Sequence, residues 1–455
     1  MGLKKFNDFP GRGTFSHGIH PPDNKNFSAE NSIEVMPSPG KVVLPLLQSI
    51  GAPCEPVVKP KQKVEFGEMV GKGMGFVSAS LHTPISGQVQ KMSVTTLPSG
   101  RHLPSITIKA EGDQVSGREL FDDIIGGIWP KENIQDYFTD TISKSISDAG
   151  VVGLGGAAFP THVKVMPSDK IVIDTLIING CECEPYLTTD YRLMVEAPDA
   201  IITGALLAGY AVSAKEIIIG VEDNKPEAIK ILQEKSKGTD IRVAALQTKY
   251  PQGSEKQLIQ ALLNREVPLG GLPGDVGTAM SNVGTIAAIA RGVVREKPLT
   301  HRVISVTGPG IVNPKNLLVP IGVSIGEVFD FCGGLTKDAA RLISGGPMMG
   351  FAFSDLNTPV TKGTSGITVL THDDLKREHE TNCVRCGRCV DVCPMNLVPT
   401  RLALAARYKN VELAQKYNIM GCFECGCCTF ICPANLKLVQ LIRTGKAQVA
   451  ASQKK

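Results

Sequence analysis

The pattern of apolar and polar positions changes character several times along the chain. From Val42 to about Ala110, short β-branched runs are punctuated by Gly and Pro. The clearest are Val57-Val58-Lys59, Met69-Val70-Gly71-Lys72-Gly73 and His82-Thr83-Pro84-Ile85-Ser86-Gly87-Gln88-Val89. This pattern predicts a small all-β domain. Between about Gly150 and Pro268 strand and helix patterns alternate. Strand candidates are Asp174–Asn179, Glu216–Val221 and Ile241–Gln247; helix candidates are Ala200–Ser213, Lys225–Lys235 and Ser254–Asn264. Such alternation predicts a parallel sheet with crossover helices. From Val303 to about Gly350 short strands and Gly-rich turns return, ending in Ser344-Gly345-Gly346-Pro347-Met348-Met349-Gly350. Beyond about Asp373 the chain reads as helical apart from its cysteine loops, with Leu397–Arg407 and Val411–Lys416 rich in good helix formers.

These changes divide the chain into an irregular segment (1–37), a β domain (38–115), an α/β core (116–298), a second β-rich segment (299–372) and a helical cysteine-rich domain (373–455). A length of 455 residues is too great for one hydrophobic core, and 42% apolar with 20% charged residues is ordinary globular composition. The net charge of +4 is small, and no Arg- or Lys-rich run accompanies it, so nucleic acid is not an expected partner. No stretch of membrane-spanning length is continuously apolar. The nearest, Ala200–Ala214, is broken by Thr203, Gly204, Gly209 and Ser213 and reads as a buried helix. The start, Met1-Gly2-Leu3-Lys4-Lys5-Phe6-Asn7-Asp8, has no apolar run behind it and is not a secretory signal. Work at a membrane therefore requires a partner that holds the chain there. His17 and His20 find no further ligand at matching spacing and read as loop residues. The phrase around Ser86-Gly87 resembles the hairpin of biotinyl/lipoyl-type barrel sandwiches, but the modified lysine of those carriers is missing, so the likeness implies the fold without the carrier function.

Cysteine usage carries the strongest chemical signal. Nine of the 13 cysteines lie between Cys383 and Cys432, in a chain read as belonging to a reducing compartment. Cys383, Cys386, Cys389 and Cys393 are followed by Pro394; Cys422, Cys425, Cys428 and Cys432 are followed by Pro433. Both blocks are C-x2-C-x2-C-x3-C-P, a spacing that wraps three thiolates around one face of a [4Fe–4S] cubane and sends the fourth to a second cluster. The expected sets are Cys383, Cys386, Cys389 with Cys432, and Cys422, Cys425, Cys428 with Cys393. A pair of zinc sites is the alternative, but zinc ribbons use two separated pairs and have no need of the third and fourth cysteine or the trailing proline. Cys427 reads as a bystander. Helical sequence between the blocks favours an α-helical ferredoxin domain, and two adjacent clusters form an electron relay that needs a donor and an acceptor.

A second candidate site begins at Gly150-Val151-Val152-Gly153-Leu154-Gly155-Gly156-Ala157-Ala158-Phe159-Pro160-Thr161-His162-Val163-Lys164. Glycines let backbone N–H groups approach an anion closely. The spacing is not the dinucleotide fingerprint, and a glycine loop alone is more often a structural turn. The segment Ile177-Ile178-Asn179-Gly180-Cys181-Glu182-Cys183-Glu184-Pro185-Tyr186 then places two acidic residues just beyond an apolar strand, where open α/β sheets bind ligands. Acidic groups there suit ribose hydroxyls or a nicotinamide amide; a solvated loop is the plain alternative.

These residues resemble those of a known family. Gly153–Thr161 with Lys164, Asn179–Pro185, Tyr250-Pro251-Gln252-Gly253-Ser254-Glu255 and Asn282-Val283-Gly284-Thr285 are similar to the flavin site of the NADH-oxidising flavoprotein subunit of respiratory complex I. The whole arrangement resembles the C subunit of the Rnf-type (Rsx) ion-translocating membrane complex. The implied fold is multidomain α+β and α/β: a barrel-sandwich-like β domain, a complex I flavoprotein-like α/β core, a β-grasp (SLBB-like) segment and a C-terminal α-helical ferredoxin with two clusters.

The resemblance implies a non-covalent FMN cradled by Gly153, Gly155, Gly156 and Lys164 and lined by Asn179, Gly253, Glu255, Asn282 and Thr285. It places Glu182, Glu184 and Phe159 where NAD(H) lies over the flavin, with Glu184 and Lys164 as candidate catalytic residues. It implies ferredoxin:NAD+ oxidoreduction by a peripheral subunit on the cytoplasmic face of the cell membrane, beside the other subunits that move Na+ or H+, with ferredoxin an indirect partner. Cys181 stands where complex I has an aspartate, and Ser254 replaces one of its paired glutamates. The related A subunit of the sodium-pumping quinone reductase lacks the twin cysteine blocks. Other expectations to weigh are the flavoprotein subunit of a soluble NAD-linked hydrogenase or formate dehydrogenase, and a cluster-only electron-transfer adaptor with a purely structural glycine loop.

Overall fold

Apolar runs such as Ile217-Ile218-Ile219 suit strands buried on both faces, and the computed structural model places them at the centre of a parallel sheet. Residues 9–166, 171–375 and 379–453 are described; Met1–Asp8, read above as lacking an apolar leader, lie outside them. The sheet has the order Ile241–Leu246, Glu216–Glu222, Thr175–Gly180, Thr278–Asn282, with every pair parallel. Helices Thr189–Glu196, Pro198–Ala211, Pro226–Lys235 and Glu255–Leu263 make the crossovers. The fourth strand, Thr278–Asn282, is absent from the sequence reading. Its Thr-Ala-Met-Ser-Asn composition carries little β signal, and only its place beside Thr175–Gly180 makes it a strand. Among the described residues no single helix is long and apolar enough to cross a membrane. Pro198–Ala211 is buried nearly all round and packs on Val283–Val294.

Antiparallel sheets build the first β domain. One holds Lys41–Pro45, His102–Ala110, Gly87–Val89 and Lys63–Val64, with Ser93–Thr96 also on His102–Ala110; the other holds Cys54–Pro56, Met69–Gly73 and Leu81–His82. Val42, Leu44, Val70, Ile85, Ile106 and Ile108 fill the space between. Two expectations shift here. The strand near Val57–Lys59 lies upstream at Cys54–Pro56, and the run His82–Val89 divides into Leu81–His82 and Gly87–Val89, because Pro84 has no N–H to offer a ladder.

The second β-rich segment forms a six-stranded mixed sheet, ordered Ile33–Val35, Lys315–Pro320, His301–Thr307, Gly366–Thr371, Ala339–Ser344, Phe351–Phe353. Its helix Ile325–Phe331 starts with a reciprocal Ser324–Glu327 cap. Ile33–Val35 comes from the segment expected to be irregular. Three residues are too few to show a period, and the strand is fixed by its parallel pairing with Asn316–Leu318. In the C-terminal domain, helices Pro399–Arg407, Val411–Lys416 and Leu438–Ser452 pack around the cysteine loops.

Close approach between the two core helices is demanded at Gly204, where an added Cβ would fall 2.0 Å from the Ile286 carbonyl oxygen. Gly204→Val should force Pro198–Ala211 off Val283–Val294, costing roughly 1–3 kcal/mol, and lower the thermal midpoint. Gly40→Ala, where a Cβ meets nothing within 4 Å, is the control and should stay within about 0.5 kcal/mol. Equal melting curves for the two variants would refute the packing argument.

Candidate functional site

Gly153 folds the glycine loop back on itself. Its amide donates to the Phe159 carbonyl at 2.8 Å, and its carbonyl accepts from the Ala158 amide at 3.1 Å. The Leu154 amide donates to the Thr285 hydroxyl at 2.8 Å, tying the loop to helix Val283–Val294. Between these anchors Gly155, Gly156 and Ala157 are exposed. A Cβ on Gly155 would press on the Asn282 side chain at 3.1 Å, whereas Gly156, at φ +118°, has open space beside it. The backbone is thus free to approach a ligand.

Asn179 and Asn282 end neighbouring parallel strands and are paired in register. Asn179 Nδ2 donates to the Gly253 carbonyl at 2.8 Å, and its Oδ1 accepts from the Cys181 amide at 3.0 Å. Asn282 Oδ1 caps helix Val283–Val294 by accepting from the Gly284 amide at 2.9 Å. Lys164 Nζ donates to Glu255 at 2.9 Å and to the Met280 carbonyl at 3.3 Å. Gly153, Gly155, Gly156, Phe159, Lys164, Asn179, Gly253, Glu255, Asn282 and Thr285 therefore gather at the carboxyl ends of Thr175–Gly180 and Thr278–Asn282.

Glu182 and Glu184 leave the same sheet edge but turn inward. Buried Glu182 accepts from the amides of Asp190 (2.9 Å) and Tyr191 (3.3 Å), in the first turn of helix Thr189–Glu196. Glu184 Oε1 accepts from the amides of Met348 (2.6 Å) and Met349 (3.1 Å). Burial pushes the Glu184 carboxyl above its ordinary range, and those two amides oppose the shift. From the N-terminal segment, Lys25 Nζ donates to the carbonyls of Glu184 (3.1 Å) and Leu187 (2.6 Å).

The two cysteine blocks wrap alike. Left-handed residues recur at matching positions: Arg385 and Glu424, Gly387 and Gly426, Asn396 and Asn435. Cys389 lies in the electrostatic field of Cys386, Cys432 and Cys383; Cys428 lies in that of Cys425, Cys422 and Cys393. Cys393, Cys422, Cys425 and Cys428 line one cavity walled by Leu397, Leu402, Val439 and Ile442. Amides of Leu397 and Glu424 donate to the sulfurs of Cys393 and Cys422, both at 3.4 Å. Cys383 and Cys386 are exposed. Burial pushes the Cys422 thiol up to about 11, and such a thiol gives up its proton when a cation takes the thiolate.

The buried set faces the core. The Tyr250 hydroxyl donates to the Cys425 carbonyl at 2.6 Å, the Gly18 amide to the Val392 carbonyl at 3.1 Å, and Gln257 to the Pro394 carbonyl at 3.1 Å. His17, a loop residue as expected, donates from Nδ1 to the Asp391 carbonyl at 2.7 Å. Sequence reasoning missed Tyr250 as the bridge, and it missed Gln252 and Asp190. Gln252 is fully buried beside Gly253, and neither of its amide atoms has a partner. Asp190 sits in a polar run, Thr188-Thr189-Asp190, that signals only a helix start.

A glycine loop on the carboxyl edge of a parallel sheet, docked against paired ferredoxin-type cysteine loops, defines an iron–sulfur flavoprotein. Family models match accordingly: a Nuo51 FMN-binding domain over residues 146–291, an RnfC barrel sandwich hybrid domain over 13–113, an SLBB domain over 303–352 and a 4Fe-4S dicluster domain over 382–436. The C subunit of the proton-translocating ferredoxin:NAD(+) oxidoreductase complex of Clostridium ljungdahlii is 43% identical, covering 96% of this chain and 94% of its own. The Na(+)-translocating counterpart of Acetobacterium woodii is 44% identical, covering 97% and 98%. The C subunit of the ion-translocating oxidoreductase complex of Rhodobacter capsulatus is 39% identical, covering 96% and 83%. The chain belongs to the C-subunit family of Rnf-type ion-translocating ferredoxin:NAD+ oxidoreductase complexes. In fold it is similar to a chain of an NAD+-reducing [NiFe]-hydrogenase in the H2-reduced state, with TM-score 0.51 and 19% identity over 73% of this chain and 67% of that one.

The residues present fit both groups. The open backbone at Gly155–Ala157, the Lys164 ammonium and the unpartnered Gln252 amide suit FMN; the four motif thiols, lining an apolar cavity together with Cys427 and taking amide donors to sulfur, suit an iron–sulfur cluster.

Burial, then the charge of Glu182, raises Asp190 to about 7, against the hydrogen bond from Asn282 and the charges of Arg302 and Lys25. A carboxyl raised in the folded state keeps its full stability below its unfolded value of 3.8 and loses it as pH rises to about 7. Asp190→Asn should therefore raise the thermal midpoint more with increasing pH, least near pH 4 and most above pH 7. A gain independent of pH would show that Asp190 does not titrate in this range.

Proposed function

We propose that this chain is the peripheral NAD(H)-oxidoreducing subunit of a Rnf-type complex, held at the cytoplasmic face of the membrane by the other subunits and linked through them to ferredoxin. Its relatives in Clostridium ljungdahlii and Acetobacterium woodii carry ferredoxin:NAD(+) oxidoreductase in their names. The observation that carries the reading is the seam at Tyr250. This side chain stands three residues before Gly253, which accepts from Asn179 at the flavin site, and touches the backbone of Cys425, so both sites share one buried interface.

When bound, FMN exchanges an electron pair with a nicotinamide as hydride, while iron–sulfur clusters take electrons singly. The chain's own residues hold and separate these groups. Gly153, Gly155 and Gly156 offer backbone, and Lys164, now paired with Glu255, offers positive charge to an anionic ligand. Asn179, Gly253, Glu255, Asn282 and Thr285 would line the flavin, with Phe159 beside the nicotinamide. Glu182 supports the strand-end turn from beneath by fixing helix Thr189–Glu196. One cluster would take Cys393, Cys422, Cys425 and Cys428, the buried set whose apolar walls exclude water. A second would take Cys383, Cys386, Cys389 and Cys432, whose exposed members give an electron partner access.

An anaerobic visible spectrum of the cluster-loaded protein, before and after NADH, tests the reading. Flavin and broad iron–sulfur absorption should both bleach. Gly155→Trp, which drives an indole toward Asn282, should abolish FMN retention while leaving the iron–sulfur absorption. Clusters that NADH leaves unchanged, even with added FMN, would remove the nicotinamide site from this chain.

A further inference from the structure

The turn Gly345–Gly350 contributes to neither the flavin loop nor a thiol set, yet three parts of the chain close on it. From the core, Glu184 Oε1 accepts from both the Met348 and Met349 amides. The approach is tight: a Cβ on Gly346 would fall 2.2 Å from Glu184 Cγ. From the cysteine domain, Gly426, at φ +83°, lies so close that a Cβ would stand 2.8 Å from the Met348 carbonyl oxygen. Gly426 lies between Cys425 and Cys428 of the buried set. From the last helix, Arg443 donates to the Met349 carbonyl at 3.0 Å, pairs with Glu424 at 2.8 Å and covers the Phe351 ring. A second arm runs beside the first. The Tyr250 hydroxyl lies next to the Glu184 carboxylate and donates to the Cys425 carbonyl.

We propose that Glu184 is a positioning residue, a pin that grips the Met348–Met349 turn and so fixes the Cys422–Cys428 loop against the flavin-bearing core. This assigns Glu184 a role other than contact with a nicotinamide, and it rests on the functional reading above. A half-buried carboxylate with one oxygen already engaged by two backbone amides is built for holding. The turn it holds touches both Glu184 and Gly426, and so couples the core to the buried thiol set. Electron transfer across the seam depends on that spacing, because the electronic overlap between donor and acceptor falls exponentially with the distance between them.

The test uses the full chain loaded with FMN and iron, in three variants. Glu184→Ala removes the grip, Glu184→Gln keeps an oxygen for the two amides, and Gly346→Val pushes on the carboxylate without removing it. Hydrogen exchange at residues 346–350 and 424–428 should quicken about tenfold or more in Glu184→Ala and Gly346→Val, and Glu184→Gln should restore protection. Stopped-flow mixing with NADH should show the iron–sulfur bleaching phase slowed several-fold, and more than the flavin phase, in the same two variants. Unchanged exchange, with a raised NADH concentration for half-maximal flavin bleaching, would overturn the pin and return Glu184 to the nucleotide. The exchange measurement needs no NADH, so it decides the pin independently of whether NADH reduces the flavin.

Discussion

The hydrogen bond from the Tyr250 hydroxyl to the Cys425 carbonyl, at 2.6 Å, forces two otherwise separate folds to share one buried seam. A phenol that donates in an apolar setting must find its acceptor, because an orphaned hydroxyl there costs about 1–3 kcal/mol. Everything around it follows the same demand. Carbonyls flanking Cys393, at Asp391, Val392 and Pro394, are met by His17, Gly18 and Gln257. The N-terminal segment is mortar here: Ile19 pairs with Tyr250 on one side while Gly18 reaches Val392 on the other. Its bulk fills the gap that a sheet edge and a helical domain would leave between them.

Polar burial is handled in the same way where the β domain meets the core. Lys362, fully buried, donates to the carbonyls of Ser80 and Gly150, both at 2.6 Å, and burial lowers its pKa to about 8. Arg302 donates to carbonyls of Lys362 and Leu154. Gly150 and Leu154 flank the start of the flavin loop, so buried cations of the six-stranded sheet region hold its backbone from behind. Such groups carry a desolvation cost, and removing one partner leaves the other uncompensated. The loop is therefore set by contacts far from it in sequence.

That distance explains what the sequence could and could not show. The cysteine repeats were legible because their spacing is itself the geometry, and both blocks adopt the same left-handed turns. The strands Thr175–Gly180 and Glu216–Glu222 were legible because burial on both faces leaves a continuous apolar signature. Thr278–Asn282 was not, because its small and polar residues become a strand only through a neighbour about a hundred positions away. Glu182 and Glu184 look alike in the sequence, two acids one residue apart. One turns to a helix start eight residues on, and the other to a turn 164 residues on. No local rule separates those fates. The glycine loop, with Asn179, Gly253 and Asn282, was readable through family resemblance, whereas the buried and unpartnered Gln252 beside it carried no signal of its own.

Two copies of one motif need not make two equivalent sites. Backbone turns at Arg385, Gly387 and Asn396 match those at Glu424, Gly426 and Asn435, so the ligand geometry offered to a cluster is the same. The surroundings differ. Cys393, Cys425 and Cys428 are buried among leucine, valine and isoleucine walls, while Cys383 and Cys386 stand in solvent. Hydrogen bonds to sulfur and solvent access both tune the potential of an iron–sulfur centre. The fold therefore imposes an asymmetry that the repeat does not contain. The buried set is tied to the core by Tyr250 and the Glu184 turn, while Cys383 and Cys386 of the other set stay open to solvent.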